Sequence, residues 1–340
     1  MKRIPTVLVP VLVALCLVLT MVACKRGHGR VLEVDYVSAP QANLRDRVAA
    51  VYNKVGFVKN GDRVEVLDHD RRFVKVRTAS GLEGWMEQRY LVSQQVFDQI
   101  QKLVVDNQND PVQGTATTRN DTNLHITPGR ETEHLYQISS GDKVQALKRA
   151  TAEKPGAVIP ARITQKEGEK NQAPQPVLED WWLVGDTRGR VGWVLGRMID
   201  LDVPLDIAQY AEGQRIVAFF VLNEVQDGDK KVPQYLTVLS EPKDGLPFDF
   251  NQIRVFTWNV KRHRYETAYR ERFEGMLPVT LSREDFGKEG VLPVFVVREK
   301  DENGNISERK YKLNTPIVRR VYAPGEEPQR AAPRKARRKR

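Results

Sequence analysis

Apolar and polar residues alternate with period two in short runs along the first half of the chain. Val64–Leu67 and Phe73–Val76 both follow this pattern, which is typical of half-buried strands. Asn60-Gly61-Asp62 and Ser80-Gly81 lie beside these runs and favour tight turns. About five such strands in roughly 55 residues must close, or nearly close, to hide their edges. The pattern therefore predicts a small β-barrel.

The same order of signals occurs twice. Residues near the start of the first copy recur 80 positions later in the chain, and residues near its end recur 108 positions later. The matching segments are Asn43-Leu44 and Asn123-Leu124, Gly61-Asp62 and Gly141-Asp142, Phe73–Val76 and Trp181–Val184, and Gly84-Trp85 and Gly192-Trp193. The second copy therefore carries an insertion of 28 residues. Because residues 149–180 contain four prolines, we expect an irregular exposed loop there.

Between the two copies the apolar period changes from two to that of a helix. Val96, Phe97, Ile100, Leu103 and Val104 fall on one helical face. The spacing predicts a short amphipathic helix that packs on a barrel, within a helix-and-linker segment over residues 94–115.

Residues 205–322 indicate a further β domain. Six runs have strand composition: Val217–Val221, Tyr235–Leu239, Ile253–Trp258, Tyr265–Tyr269, Leu292–Val297 and Ile317–Tyr322. Asp227-Gly228 and Asn303-Gly304 are hairpin signals between apolar runs. We expect a small antiparallel sandwich or sheet, with Trp258 and Tyr265 packed across strands.

The order of motifs in each copy resembles that of the bacterial SH3-like domain. Copy one has Asn43-Leu44-Arg45, Gly61-Asp62, Phe73-x-x-Val76, Gly81-x-x-Gly84-Trp85 and Tyr90-Leu91. Copy two has Asn123-Leu124-His125, Gly141-Asp142, Trp181-x-x-Val184, Gly189-x-x-Gly192-Trp193 and Met198-Ile199. The resemblance implies two barrels that bind cell wall or an envelope protein. Such domains often accompany cell-wall peptidases with a cysteine nucleophile.

The first residues have the pattern of a secretory signal. Lys2 and Arg3 precede the apolar run Val7–Leu19, which is short for a membrane span. Met21-Val22-Ala23-Cys24 resembles the lipobox of bacterial lipoproteins, which implies a signal peptide over residues 1–23 and a lipid on Cys24. A transmembrane anchor is the alternative. By analogy with enteric lipoproteins, Lys25 favours the outer membrane, with the protein facing the periplasm.

Charge is concentrated at the two ends of the chain. The net charge is +10, and the nine basic residues Lys2, Arg3 and those of residues 330–340 leave +1 for residues 4–329. A nearly neutral body argues against a nucleic-acid partner, which requires a basic face on a domain. The tail is expected to be disordered; it is either a solvated extension or a contact for anionic lipid or wall polymer.

The side chains that usually carry catalysis or bind metal are sparse. The five histidines form no zinc-binding motif, no phosphate or dinucleotide loop is present, and we expect no metal and no cofactor. After signal cleavage the only cysteine would be Cys24, the lipid site, so a cysteine-peptidase reaction has no nucleophile. An enzyme that uses acidic residues of 205–322 is the least favoured alternative.

The tryptophans suggest a binding site in copy two. Trp85 and Trp193 are expected in the barrel cores, whereas neighbours on a strand such as Trp181 and Trp182 face opposite sides. One of these two should therefore face solvent, the insertion or a ligand. In SH3-like folds the groove would lie between His125–Tyr136 and the insertion. We therefore name Trp181, Trp182, His125 and Tyr136 as candidate binding residues, with copy one as a support.

Together these observations predict a mainly β, non-catalytic envelope lipoprotein. Its parts are a signal peptide (1–23), a lipidated tether (24–30), barrel one (31–93), the helix and linker (94–115), barrel two (116–203), a β domain (205–322) and a basic tail (323–340). The expected partner is peptidoglycan or an envelope protein. The alternative is a structural or assembly factor whose barrels pack on its own third domain.

Overall fold

A computed structural model describes residues 30–48, 51, 53–160, 174–322 and 325 of the chain. Within these residues the protein is mainly β, as the sequence predicts, with three antiparallel sheets of seven strands each. One α-helix longer than a single turn is present in the described part. The chain divides into two compact units at the boundary between Gln94 and Gln95.

The first sheet forms a small barrel, barrel one. Its strands are β1 Glu33–Val37, β2 Gln41–Arg45, β3 Lys54–Lys59, β4 Arg63–Asp70, β5 Phe73–Thr78, β6 Glu83–Glu87 and β7 Leu91–Ser93, in the spatial order β3-β2-β6-β5-β4-β1-β7. Alternate residues point inward, so that Leu44, Val66, Val76 and Met86 form part of one core cluster. The period-two pattern of the sequence therefore marks the inner face of the barrel.

The second sheet, barrel two, repeats this topology. Helix α1 Gln94–Asn107 precedes β8 Gly114–Thr118, β9 Thr122–His125, β10 His134–Ile138, β11 Lys143–Ile159, β12 Gln175–Asp186, β13 Val191–Leu195 and β14 Ile199–Leu201. The order β10-β9-β13-β12-β11-β8-β14 is that of barrel one with each strand replaced by its counterpart. The registers agree as well, because Arg45 faces Trp85 and His125 faces Trp193.

The insertion in copy two extends a hairpin and is not an irregular loop. β11 and β12 continue past the barrel as a paired ladder, with Ala150 opposite Trp181 and Glu153 opposite Leu178. A register shift between Glu153 and Val158 accommodates the proline-rich part of the ladder. The prediction of an irregular loop is therefore wrong for 149–159 and 175–180, and residues 161–173 lie outside the described part.

The third domain is one continuous sheet. Its strands follow the chain as β15 Arg215–Asp227, β16 Lys230–Ser240, β17 Phe250–Asn259, β18 Arg264–Asp285, β19 Val291–Lys300, β20 Ile306–Asn314 and β21 Ile317–Val321. The predicted packing of Trp258 on Tyr265 is confirmed, since their rings meet edge to face at 4.9 Å. Strand β20 was not predicted. Its outer positions are polar, and only Tyr311 and Leu313 along it are fully buried.

Barrel two and the third domain share a single hydrophobic core. One cluster joins Trp182 and Val194 of the barrel to Phe220 and Leu236 of the third domain. The linker residue Gln113 is fully buried and accepts a hydrogen bond from the Val279 amide at 2.8 Å. A single helical turn, Leu205–Ala208, connects the two parts. The internal packing that one alternative expected of both barrels is thus present for barrel two.

Several predictions concern residues outside the described part. The signal peptide over 1–23, the lipid site Cys24 and the basic residues 330–340 are all among them. Within the described ranges, no helix has the length and apolar character needed to cross a membrane.

Candidate functional site

Barrel one carries an open cleft on its outer surface. The cleft has a volume of about 170 Å³ and is lined by Gln41, Ala42, Asn43, Arg45, Phe73, Trp85, Met86, Glu87 and Tyr90. These residues come from β2, the start of β5, the end of β6 and the 3-10 turn Gln88–Tyr90. Three aromatic rings and two charged side chains therefore meet at one surface depression.

Strand alternation explains why Phe73, Trp85 and Glu87 face outward. Val74 and Met86 pair across β5 and β6 and enter the core, so their neighbours Phe73 and Glu87, also paired, point the other way. Trp85 lies on the same outer face and is half-buried. The expectation that Trp85 packs in the barrel core is therefore wrong, because the residue that follows Gly84 is on the outward phase of β6.

Arginines surround the aromatic rings of the cleft. Arg89 Nε donates to Glu87 Oε2 at 2.7 Å, and its Nη2 donates to the Tyr90 hydroxyl at 3.1 Å. These contacts, first the one with Tyr90, raise the pKa of Arg89 above its ordinary value. The guanidinium of Arg72 lies 5.3 Å from the centre of the Phe73 ring.

A second, more open hollow adjoins the cleft at Glu87. It has a volume of about 360 Å³ and is lined by Arg72, Glu87, Gln88 and Arg89. Together the two depressions offer flat apolar rings next to guanidinium groups. That combination can stack on a sugar or peptide plane while it pairs with a carboxylate. Among the described residues, no group of three His, Cys, Asp or Glu side chains could hold a metal ion.

The equivalent face of barrel two is apolar and covered. Trp181, Leu183, Trp193 and Leu195 occupy the positions of Phe73, Lys75, Trp85 and Glu87. Leu103 and Val104 of α1 pack against a small cluster that includes Leu183, which confirms that the helix packs on a barrel; Trp193 packs against the same cluster. Trp193 is half-buried on this outer face, so the prediction that it lies in the barrel core is wrong as well.

Polar contacts fix the helix in place. Lys148 Nζ donates to Asn107 Oδ1 at the end of α1 at 2.8 Å and pairs with Asp110 Oδ2 at 2.7 Å. The helix therefore occupies in barrel two part of the face that is open in barrel one.

Of the sequence-predicted residues, Trp181 and His125 meet. Their rings lie 5.3 Å apart edge to face, and the His134 ring is 5.2 Å from that of His125. His125 Nδ1 lies 3.0 Å from the Thr132 carbonyl oxygen. Burial lowers the pKa of His125, an effect that the Thr132 contact opposes.

Both candidate tryptophans are buried, at 2% exposure for Trp181 and 7% for Trp182. Of the three alternatives expected for the outward tryptophan (solvent, the insertion or a ligand), exposure to solvent is therefore excluded. Trp182 points inward into the core shared with the third domain, and Trp181 points outward but lies beneath His125. Local alternation identifies the two faces of a strand but not whether another element covers the outer one.

Tyr136 is also part of the packing. It is half-buried against the shared core, and the Arg190 guanidinium lies 5.1 Å from its ring centre. A bidentate ion pair near Trp181 links Arg130 to Glu179, with Nε to Oε2 at 2.7 Å. The hydrogen bond from Arg130 lowers the pKa of Glu179. These contacts brace the barrel wall and leave the four candidate residues without a shared open surface.

Comparison with known proteins agrees with this difference between the barrels. Residues 40–92 match the family model of the bacterial SH3 domain. Every residue that lines the cleft of barrel one lies inside this SH3 domain. No curated protein matches the chain.

Similar solved structures include three proteins of the NlpC type. NlpC1 from Trichomonas vaginalis is 8% identical, with 87% of this chain and 93% of that chain covered and a TM-score of 0.18. NlpC2 from the same organism is 10% identical, covering 85% and 95%, with a TM-score of 0.17. An NLPC/P60 family protein from Bacillus cereus ATCC 10987 is 12% identical, covering 83% and 95%, with a TM-score of 0.23. TM-scores of this size do not establish a common fold.

The sequence contains residues that indicate the cleft of barrel one, but its tryptophan pattern favours a site in barrel two. Phe73 and Trp85 were present in the repeat, but the second tryptophan beside Trp181 and the nearby insertion favoured copy two. The charged residues that accompany the aromatic rings in copy one, Arg72, Glu87 and Arg89, are the better indicator. Their counterparts in copy two are Asp180, Leu195 and Arg197, so only the last keeps its type.

Proposed function

We propose that the SH3 domain of barrel one binds peptidoglycan through its cleft and that the protein acts without catalysis. The observation that carries this proposal is the contrast between two equivalent faces. In barrel one the face is open, aromatic and charged; in barrel two it is apolar and partly covered, by α1 at Leu183 and by His125 at Trp181. Barrel two and the third domain then form the support to which the binding domain is attached in sequence.

The chemistry of the cleft suits a wall peptide or sugar. The exposed parts of Trp85 and Tyr90 provide flat apolar area at low conformational cost, and Arg89 supplies a cation beside them. Carboxylates occur along peptide stems, and a guanidinium recognises them with two parallel hydrogen bonds. A match to the bacterial SH3 domain over residues 40–92 supports the same partner.

The test is co-sedimentation of the full chain with insoluble peptidoglycan. Trp85→Ala should reduce the bound fraction at least tenfold, because it removes the largest ring of the cleft. The matched control is Trp193→Ala, which changes the equivalent residue of barrel two. That variant should lose stability, because Trp193 packs against the cluster that α1 also contacts, and should still bind when assayed below its melting temperature. Full binding by a folded Trp85→Ala variant, or selective loss in the Trp193→Ala variant, would contradict the proposal.

The absence of catalysis can be measured in the same assay. We expect no soluble muropeptides after prolonged incubation of peptidoglycan with the protein, whereas a hydrolase would release them. The competing function is that of an assembly factor, which the shared core of barrel two and the third domain favours. In that case a partner protein, captured by crosslinking in intact envelopes, would bind equally well after Trp85→Ala.

We further propose that the protein is a lipoprotein of the cell envelope, anchored through Cys24 in the outer membrane and facing the periplasm. The support is the signal-like start of the chain and the sequence Ala23-Cys24. Two or three acyl chains, at about 0.8 kcal/mol per buried CH₂ group, suffice for stable anchoring. Cys24→Ser should release or mislocalise the protein. An intact Met1, found by mass spectrometry of protein from the native host, would contradict the proposal.

The basic tail is proposed to strengthen envelope binding. Residues 330–340 carry seven basic side chains and no acid. Each basic residue contributes about 1 kcal/mol near an anionic surface, and salt screens the effect. Deletion of these residues should therefore weaken binding more at low salt than at high salt. An equal loss at both would argue against an electrostatic contact.

A further inference from the structure

A second cleft opens where barrel two meets the third domain. Its volume is about 310 Å³, which lies at the lower end of the range for small-molecule sites. The barrel contributes the 3-10 turn Gly196–Met198, strand β14 and part of β12, and the third domain contributes the start of β15 and Asp244. This cleft is distinct from that of the SH3 domain, which lies in the other compact unit.

Arg197 is the residue that makes this cleft unusual. It corresponds to Arg89 of barrel one, which is held by Glu87 and Tyr90. In barrel two the equivalents of those partners are Leu195 and Met198, which cannot accept a hydrogen bond from a guanidinium in the same way. Arg197 is exposed and, within the described part of the chain, forms no direct hydrogen bond or ion pair. Its charge acts on Glu179 at longer range and helps to lower the pKa of that carboxyl.

The other charges of the cleft are balanced. Arg119 is held by Asp200 in a bidentate pair. Arg215 donates to Asp180 Oδ2 at 2.7 Å and to Asp244 Oδ1 at 2.9 Å.

Asp180 is not available to a ligand. It is 1% exposed, and it also accepts hydrogen bonds from Arg149 and from the Gly245 amide. Of the four arginines that line the cleft, Arg197 is the one that forms no direct hydrogen bond or ion pair in the described part of the chain.

Apolar side chains form the rest of the walls. Trp182, Ile199, Leu201, Ile216 and Val217 line the cleft together with the charged groups. A ligand that fits must therefore combine one negative charge with an adjacent apolar group. Asp200 and Asp244 near the rim would repel a second negative charge.

We propose that this cleft binds the terminal carboxylate of a short peptide with small apolar residues, with Arg197 as the group that recognises the carboxylate. The guanidinium fork matches a carboxylate with two parallel N–H···O bonds, and the side chain next to the carboxylate contacts Ile199 and Ile216. The geometry selects a C-terminal residue because an internal peptide unit carries no charge to pair with Arg197.

The probe is N-acetyl-Ala-Ala with a free carboxylate, and its C-terminal amide is the matched ligand control. The chain has five tryptophans, so five indole N–H signals in a proton–nitrogen correlation spectrum of the full protein report on binding. Trp182→Phe assigns the signal of the cleft, and Trp85→Phe assigns that of the SH3 domain. The carboxylate peptide should shift the Trp182 signal saturably, with the amide at least tenfold weaker.

The decisive variant is Arg197→Gln, with Arg89→Gln as the matched control in barrel one. Arg197→Gln should weaken peptide binding at least tenfold with little change in melting temperature, since Arg197 forms no direct hydrogen bond or ion pair in the described part of the chain. Arg89→Gln, which alters the cleft of the SH3 domain, should leave the peptide-induced shift of the Trp182 signal unchanged. Equal affinity for the amide, a shift of Trp85 in place of Trp182, or wild-type binding by Arg197→Gln would overturn the proposal. Because Arg197→Gln should still sediment with peptidoglycan, failure here is distinguishable from failure of the SH3-domain proposal.

Discussion

Arg149 of barrel two binds Asp249 of the third domain, with Nη1 and Oδ1 separated by 2.9 Å and both side chains almost completely buried. The other terminal nitrogen of Arg149 donates to Asp180 at 2.5 Å. Asp249 also accepts the Leu277 amide at 2.7 Å, although burial still raises its pKa above the ordinary value. One guanidinium thus joins two carboxylates from different domains, the same two domains that share the apolar core.

Asp180→Asn should destabilise the unit formed by barrel two and the third domain by about 3–5 kcal/mol, because it leaves a buried guanidinium poorly compensated. Urea unfolding at pH 7 measures the effect. The matched control is Asp200→Asn, which breaks the exposed pair with Arg119 and should cost less than about 1 kcal/mol.

The stability that the ion pair of Arg149 and Asp180 contributes should change with pH in one direction. Hydrogen bonds from Arg149 and Gly245 hold the pKa of Asp180 below its usual 3.8 despite its burial. The stability that the Asp180 carboxylate contributes is therefore fully present above pH 3.8. It is lost as the pH falls through the lower pKa that Asp180 has in the folded protein. A loss that begins above pH 5 would contradict this assignment.

Trp181→Ala should cost about 3–5 kcal/mol of unfolding free energy, since the ring is buried beneath His125 and its removal leaves a cavity. This is the opposite of the small change expected for an exposed binding residue. Trp85→Ala, at the half-buried counterpart of Trp193 in barrel one, should cost clearly less. Calorimetric melting of the two variants makes the comparison, and equal costs would argue against the assigned burial.

Asp35→Asn should stabilise barrel one at neutral pH. Burial, aided by nearby Glu33 and opposed by His69, raises the pKa of Asp35 to about 6. Below pH 3.8 the protonated Asp35 carboxyl contributes its full share to the stability of the folded barrel. This share is lost as the pH rises through about 6. The asparagine variant should gain on the order of 2 kcal/mol at pH 7.5 and little at pH 4. Hydrogen exchange of the β1 and β4 amides in the full chain measures it, and equal gains at both pH values would contradict the mechanism.

His125 should make barrel two sensitive to mild acid. Its pKa is lowered by burial, so the folded state resists protonation that the unfolded chain accepts near pH 6.5. The free energy of unfolding should therefore fall as the pH drops below about 6.5, until the pH reaches the lower pKa that His125 has in the folded protein. His125→Gln should remove most of this dependence between pH 5 and 7. An unchanged pH profile in urea unfolding would exclude His125 as its source.

The repeat was the most informative feature of the sequence, and the strand registers explain why. Arg45 faces Trp85, and His125 faces Trp193, at the offsets of 80 and 108 residues seen in the sequence. Period-two alternation correctly marked Val64 as a core position because a small barrel has one interior.

The sequence does not show which other elements pack over the outer face of each barrel. Nothing local to Trp181 indicates that His125 lies on it, or that α1 packs on the cluster around Leu183. The site was therefore assigned to the copy with more tryptophans. The extended hairpin escapes prediction for a related reason. Prolines at 155 and 176 suggest a loop, yet Pro176 pairs with Val158 and Pro155 falls within the register shift between Glu153 and Val158.

The core shared by barrel two and the third domain determines where this chain can be divided to move a part of it into another protein. A junction after residue 203 would separate Arg149 from Asp249 and expose the apolar face around Trp182. A junction between Gln94 and Gln95 follows the boundary between the two compact units. The first repeat can therefore serve as a transplantable module, whereas the second, despite its identical strand order, can be moved only together with the third domain.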